Sequence, residues 1–394
     1  MRIRRLFLRK FRNIEEEEFF PSPGVNFLQG SNGQGKTSIL EALSFVSNLR
    51  SFRGAKPIEM LRWESDFSEI ICDIDLQETT TNLKVVFSCT DPKRVRVQKA
   101  AFINGNPFHS SLEYLCQRFG AFELGFHSIA FNPSDHELVR GEPALRRKYL
   151  DRVLSAENEG YLRLLQKYKR LLDQRNALLK QHSSGARISS EERALFQGFS
   201  KPFCETGSQI TFARIQWLNR LNKTLGAAVS RVAPTQGKIQ TKYESTWFEN
   251  PTGHAELTSL ELLETALWKK LTSVESAERA AGFSLVGPHR DDWGFSLGSM
   301  ALKGHGSQGE VRTALLGLKL SELVLFREAT GHRPVFLLDD FSSELDQERR
   351  RFLLQFLEET DLQVFVTTTE GFALVGKRFV VSAGKVKELR DDRI

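Results

Sequence analysis

The sequence predicts an α/β fold whose main sheet is assembled from both ends of the chain, with a helical lobe inserted between them. Three observations predict it. Gly30-Ser31-Asn32-Gly33-Gln34-Gly35-Lys36-Thr37 fits the phosphate-loop pattern and lies between a short apolar strand, Val25–Leu28, and a helical repeat of Ile39, Leu40, Leu43 and Val46. Val335–Asp339 and Gln363–Thr367 are apolar runs of the kind that fill the centre of a parallel sheet. Residues 143–280 carry mostly helical periodicity.

Taken in order, Ile3–Leu8 and Glu17–Phe20 read as strands, the second broken at Pro21 and Pro23. Ile70–Leu76, Leu83–Phe87 and Arg94–Val97 follow, and Phe102–Pro107 turns as a hairpin on Asn104-Gly105. These strands are expected to form an antiparallel sheet beside the main one. Pro143 suits an early helical position, and Leu162, Leu165, Tyr168, Leu172 and Leu179 then mark an apolar stripe. Ser183-Ser184-Gly185 reads as a turn. A second helical region runs from about Ser190 to Val229, interrupted near Pro202, and a last helix covers roughly Glu256 to Ser276. The stripe lacks a sustained heptad, so the helices are expected to form a short antiparallel arm rather than a long coiled coil. Further helices are expected at about 308–329 and 346–359. The expected domains are residues 1–142, 143–282 and 283–394.

The chain has 394 residues, 40% hydrophobic and 26% charged, which suits a soluble protein of two or three domains. No apolar run approaches membrane-spanning length, and Met1–Leu6 enters a strand pattern without the apolar core of a signal peptide. Cys72, Cys89, Cys116 and Cys204 lie far apart with no paired spacing, which argues against zinc or a disulfide framework. A reducing cytoplasm is the expected location. The net charge of +6 mildly favours a polyanionic partner and decides little else.

The glycine-rich loop carries the chemistry. Its glycines and Asn32 permit a tight turn that aims backbone N–H groups at phosphate oxygens, reinforced by the positive end of the following helix. Lys36 is expected to reach the β- and γ-phosphates and the Thr37 hydroxyl to hold Mg²⁺, so that the loop binds a nucleoside triphosphate. Asp339 and Asp340 end an apolar strand, where one carboxylate can hold the metal and the next can activate the attacking water. Asp339 is assigned to metal and Asp340 to water.

Gly306-Ser307-Gln308-Gly309 leads into a leucine-rich helix before that strand, and Phe341-Ser342-Ser343-Glu344-Leu345-Asp346 follows it. This order resembles that of the ABC-type ATPases, in which the Ser-Gln-Gly turn of one subunit contacts the γ-phosphate held by the other. Phe11-Arg12-Asn13, Leu61-Arg62-Trp63, Gly141-Glu142-Pro143, Arg146 to Asp151, Leu285 to Asp292 and Thr367-Thr368-Thr369 extend the likeness over essentially the whole chain. Together these motifs resemble the RecF family. The Gly-Pro-His-Arg-Asp-Asp run, Gly287–Asp292, discriminates most, since transporter ATPases lack it.

The resemblance implies a Rad50-like ATPase head and an ATP-dependent homodimer that binds DNA at single-strand gaps. It implies action with RecR and RecO, help in loading RecA, a part in replication restart and the SOS response, and slow hydrolysis used as a switch. The implied nucleotide contacts are Gly30 to Ser38 with Arg12 and Asn13, and Thr369 lies near the switch position. Ser307, Gln308 and Gly309 would act across the dimer, beside the loop Ser343–Asp346. The chain departs from the family where Glu310-Val311 replaces the two glutamines usual after Ser-Gln-Gly, and where Ser134–Leu138 matches only loosely. Candidate DNA contacts are Arg146, Arg147, Lys148, Lys167, Lys169 and Arg170, with Arg4 and Arg5 no better determined. Two other readings are a transporter's nucleotide-binding subunit, which does not account for Gly287–Asp292, and a long-range DNA tether, for which the helical stretch is too short.

Overall fold

The computed structural model describes residues 2–76, 79–89, 97–108, 110–117, 126–181, 190–234, 237–248, 259–340, 346–369 and 376–389. The chain divides into two compact units. One comprises Met1–Asp135, Ser230–Pro234 and Leu315–Ile394; the other comprises His136–Val229 and Thr235–Ala314.

The first unit holds two six-stranded sheets. The antiparallel one runs in the order Ile14–Phe19, Arg2–Phe11, Phe67–Leu76, Thr79–Ser88, Gln98–Ile103, Asn106–Phe108. Its strands alternate as a one-sided sheet must: Ile70, Cys72 and Ile74 are buried while Ile71 and Asp73 face outward and are only half-buried. The expected Asn104-Gly105 turn is present, with both residues at positive φ, 51° and 80°. The second sheet runs Lys385–Leu389, Lys377–Ser382, Val25–Gln29, Val364–Thr368, Val335–Leu338, Ser128–Phe131. Five of its strands run parallel to one another, and only the Lys385–Leu389 edge is antiparallel. Strands from both chain ends thus alternate in one sheet. The helix Lys36–Asn48 joins the two sheets into one core: Ile39, Leu40, Leu43 and Val46 share a buried cluster with Leu6, Ile70 and Val85 of one sheet and Leu337 and Phe365 of the other. Full burial is worth about 1.5–3 kcal/mol for each such side chain, which anchors the helix that begins at the phosphate loop.

The second unit is helical around a three-stranded antiparallel sheet of Ile239–Glu244, Asp292–Leu297 and Met300–Ala301. Its main helices are Pro143–Glu157, Glu159–Gln181, Ser190–Val232 and Leu260–Ala281, the third ending in the first unit. Three expectations need correction. The helix from Ser190 is not interrupted at Pro202; four residues before the proline stands Gly198, with open space at its Cβ position, and Thr206 Oγ1 donates to the Pro202 carbonyl at 2.6 Å. The last helix spans Leu260–Ala281, set by the Ser259 cap and by Gly282 at φ 74°. The head does not resume at residue 283, because Asp292–Leu297 pairs with Ile239–Glu244 and keeps the stretch up to Ala314 in the helical unit.

The Gly287–Asp292 run is a polar knot within this unit. Asp292 accepts two bonds from Arg146, both 2.7 Å. Asp291 accepts from the Tyr243 hydroxyl at 2.8 Å and the Trp247 indole at 2.9 Å. The Pro288 carbonyl accepts from Arg214, which also forks onto Asp151. His289 Nδ1 lies 2.7 Å from the Tyr168 hydroxyl. Gly287 sits at φ 128°, where an added Cβ would come within 2.6 Å of that same hydroxyl. The strand expected at Arg94–Val97 (Val97 apart) and the turn at Ser183–Gly185 lie outside the described residues.

Candidate nucleotide site

The loop is built by close backbone approaches. Gly30 has no room for a Cβ, which would meet the Val381 carbonyl oxygen at 2.2 Å. Gly33 and Gly35 take φ of 79° and 109°, open to glycine at little cost. Asn13 braces the loop from behind, donating to the Gly33 carbonyl at 3.2 Å and accepting from the Ser38 hydroxyl at 3.1 Å. From the other side the turn Ala383-Gly384 holds Gln34: Ala383 N–H donates to Gln34 Oε1 at 2.6 Å and Gly384 N–H to the Gln34 carbonyl at 3.0 Å. Nothing in the sequence pattern marked that clasp.

The chemistry-bearing groups converge. Lys36 Nζ donates to the carbonyls of Gly30 and Ser31 at 2.5 and 2.9 Å. Thr37 Oγ1 and Thr367 Oγ1 each donate to Asp339 Oδ1 at 2.8 Å, and the Thr367 hydroxyl accepts from the Asp340 N–H at 2.8 Å. Asp340 adopts φ 49°, turning the chain sharply where the strand ends. Asp339 is buried, and burial raises its pKa against the bonds from Thr37 and Thr367. Burial lowers the pKa of Lys36, opposed by Asp340 and Asp339. Both charges are therefore partly desolvated. A triphosphate would complement Lys36, and a divalent cation would complement Asp339 and the Thr37 hydroxyl; one carboxylate suffices for Mg²⁺, which takes most ligands from phosphate and water.

Lys36, Thr37, Asp340 and Thr367 line a cavity of about 1290 Å³ that also includes Arg12, Asn13, Arg53, Arg62 and Trp63. Arg12 reaches the cavity but its guanidinium forks onto Glu41, 2.8 Å to each oxygen. Glu41 is fully buried on the loop helix and was not marked by sequence reasoning, although Arg12 needs such a partner.

A family model described as the RecF/RecN/SMC N terminal domain matches residues 2–381. The DNA replication and repair protein RecF of Geotalea uraniireducens (strain Rf4) is 32% identical over 396 residues, covering 98% of this chain and 100% of that protein. The chain belongs to the RecF family. A solved structure of the recombination mediator protein RecF with ATP, described as part of the RecFOR pathway, superposes with a TM-score of 0.86 at 29% identity over 99% of this chain and 98% of that one. The Smc head domain from Pyrococcus furiosus, at 13% identity and a TM-score of 0.54 over 98% of this chain and 96% of that one, shares the fold.

The other RecF-type elements fall as follows. Ser307 caps the helix Gln308–Thr330 in a reciprocal capping box: its N–H and hydroxyl donate to Glu310 Oε2 at 2.7 and 2.9 Å, and Glu310 N–H donates back to Ser307 Oγ at 3.2 Å. Glu310 is thus a helix cap. Asp346 caps the helix Gln347–Glu359 through Arg349 N–H at 3.0 Å; Ser343, Glu344 and Leu345 lie outside the described residues. Thr367, at the end of the neighbouring strand, donates to the strand-end carboxylate of Asp339. Of the candidate DNA contacts, Arg146 is buried on Asp292, Arg147 is half-buried against the Asp291 carbonyl, and Arg5 pairs with Glu18 and Asp73. Lys148, Lys167, Lys169 and Arg170 are exposed. No helix among the described residues is long and apolar enough to cross a membrane.

Proposed function

We propose that this chain is an ATP-switched DNA-binding protein of recombinational repair and replication restart. The observation that supports it best is the Thr37–Asp339–Thr367 hydrogen-bonded set beside the loop, in a chain that superposes with RecF solved with ATP. In this reading ATP and Mg²⁺ join two copies through Ser307, Gln308 and Gly309, with Ser343–Asp346 beside them. The dimer holds DNA at single-strand gaps, and RecR and RecO connect it to RecA loading. Asp340 activates the attacking water, and slow hydrolysis releases the DNA. The cytoplasm is where such a protein would meet replicating DNA.

The test is Asp340→Asn, which keeps Lys36, Thr37 and Asp339 and removes the proposed base. Its affinity for gapped and intact duplex would be measured with and without ATP at two salt concentrations. ATP should tighten binding, most for gapped DNA, and added salt should weaken it through phosphate neutralisation. DNA binding indifferent to ATP would overturn the switch.

A further inference from the structure

The lining of the cavity goes beyond the phosphate loop: it also carries an exposed aromatic side chain among carboxylates and basic residues. Trp63 lines the cavity and is 85% exposed, more than any other large apolar side chain among the described residues. It stands on a braced turn. Ser65 N–H donates to the Arg62 carbonyl at 3.0 Å, and Glu64 takes φ 64° to close the turn. Arg62 N–H donates to the Lys10 carbonyl at 2.8 Å, its Nη1 donates to the Asn13 carbonyl at 2.7 Å, and its Nε pairs with Glu15 at 2.8 Å. Asn13 is the residue that braces the phosphate loop at Gly33 and Ser38. One scaffold therefore fixes both the loop and the turn that displays the indole.

We propose that Trp63 is the stacking platform for the base of the bound nucleotide. This rests on the nucleotide reading above and deepens it: the cavity recognises a nucleoside triphosphate, preferring a purine, and not only its phosphates. A flat aromatic face held in water offers apolar area and π-contact to any base, and a purine overlaps it more than a pyrimidine does. Glu59, Glu64 and Asp66 line the same cavity beside Lys10, Arg53 and Arg62, and a neutral nucleoside offers hydroxyl and amino donors to these carboxylates.

The experiment uses the full chain with Trp63→Ala and Trp63→Phe. Calorimetric titrations with ATP, CTP and inorganic tripolyphosphate, each with Mg²⁺, separate base from phosphate recognition. Trp63→Ala should weaken ATP binding about tenfold, the scale of one base–aromatic stack. It should leave tripolyphosphate unchanged and erase any preference for ATP over CTP, and Trp63→Phe should recover most of the loss. ATP should also quench tryptophan emission in the wild type while tripolyphosphate does not, and the quench should vanish in Trp63→Phe. Unchanged ATP affinity in Trp63→Ala overturns the proposal and leaves the nucleotide reading standing. A parallel loss of ATP and tripolyphosphate binding overturns it as damage to the loop. Loss of nucleotide-free DNA binding with ATP affinity intact overturns it in favour of a DNA contact. A wild type that binds neither ATP nor tripolyphosphate overturns both readings.

Discussion

Asp291 and His289 sit two residues apart in the polar knot of the helical unit and should titrate against each other. Burial pushes Asp291 up to about 6 from 3.8, against the bonds from Tyr243 and Trp247 and the charge of Arg214. Burial pushes His289 down to about 4 from 6.5. Each pH unit of displacement is worth about 1.4 kcal/mol, so each group shifts stability by about 3 kcal/mol. The signs are opposite. Between about pH 4 and 6 the folded chain holds the Asp291 proton and the unfolded chain does not, so Asp291 adds stability as pH falls. From about pH 6.5 down to 4 the unfolded chain protonates His289 and the folded one does not, so His289 removes stability as pH falls. In the wild type the two nearly cancel. Asp291→Asn keeps an acceptor for Tyr243 and removes one titration, so its stability should fall relative to wild type by about 3 kcal/mol between pH 7 and 4. His289→Gln should gain by a similar amount over the same window. Urea unfolding at each pH, followed by the fluorescence of the buried Trp217, Trp247 and Trp293, measures both. Variant curves that run parallel to wild type from pH 7 to 4 would refute the assignment.

Two further outcomes follow from the ATPase elements. Glu310→Gln keeps an acceptor for Ser307 but removes a negative charge from a helix terminus proposed to receive a γ-phosphate. ATP-dependent self-association, read by sedimentation, should tighten about two- to fivefold, the scale of a charge at a helix end; no change would separate Ser307 from the nucleotide. Thr367→Val removes the hydroxyl that donates to Asp339 and accepts from Asp340. It should cost about 1–3 kcal/mol of stability in thermal unfolding and slow ATP turnover, with ATP affinity nearly unchanged.

What the sequence made legible divides by how far each residue's partners lie along the chain. The phosphate loop, the Asn104-Gly105 turn and the parallel strands Val335–Leu338 and Val364–Thr368 are local statements, in which a turn's φ demands or an apolar run can be read within ten residues. The braces are not local. Asn13 under the loop, Ala383-Gly384 over it and Thr367 beside Asp339 reach their partners across 20 to 349 positions, so spacing carries no trace of them. The Gly287–Asp292 run shows the same limit most sharply. As a string it discriminated the family, yet its work is done by Arg146, Tyr168, Arg214, Tyr243 and Trp247, drawn from three helices, a strand and a loop. That pairing also explains why Arg146 and Arg147 looked like a DNA-binding patch. A basic pair on a helix reads the same whether water or a carboxylate answers it, and here Asp292 answers the buried Arg146 with two bonds of 2.7 Å.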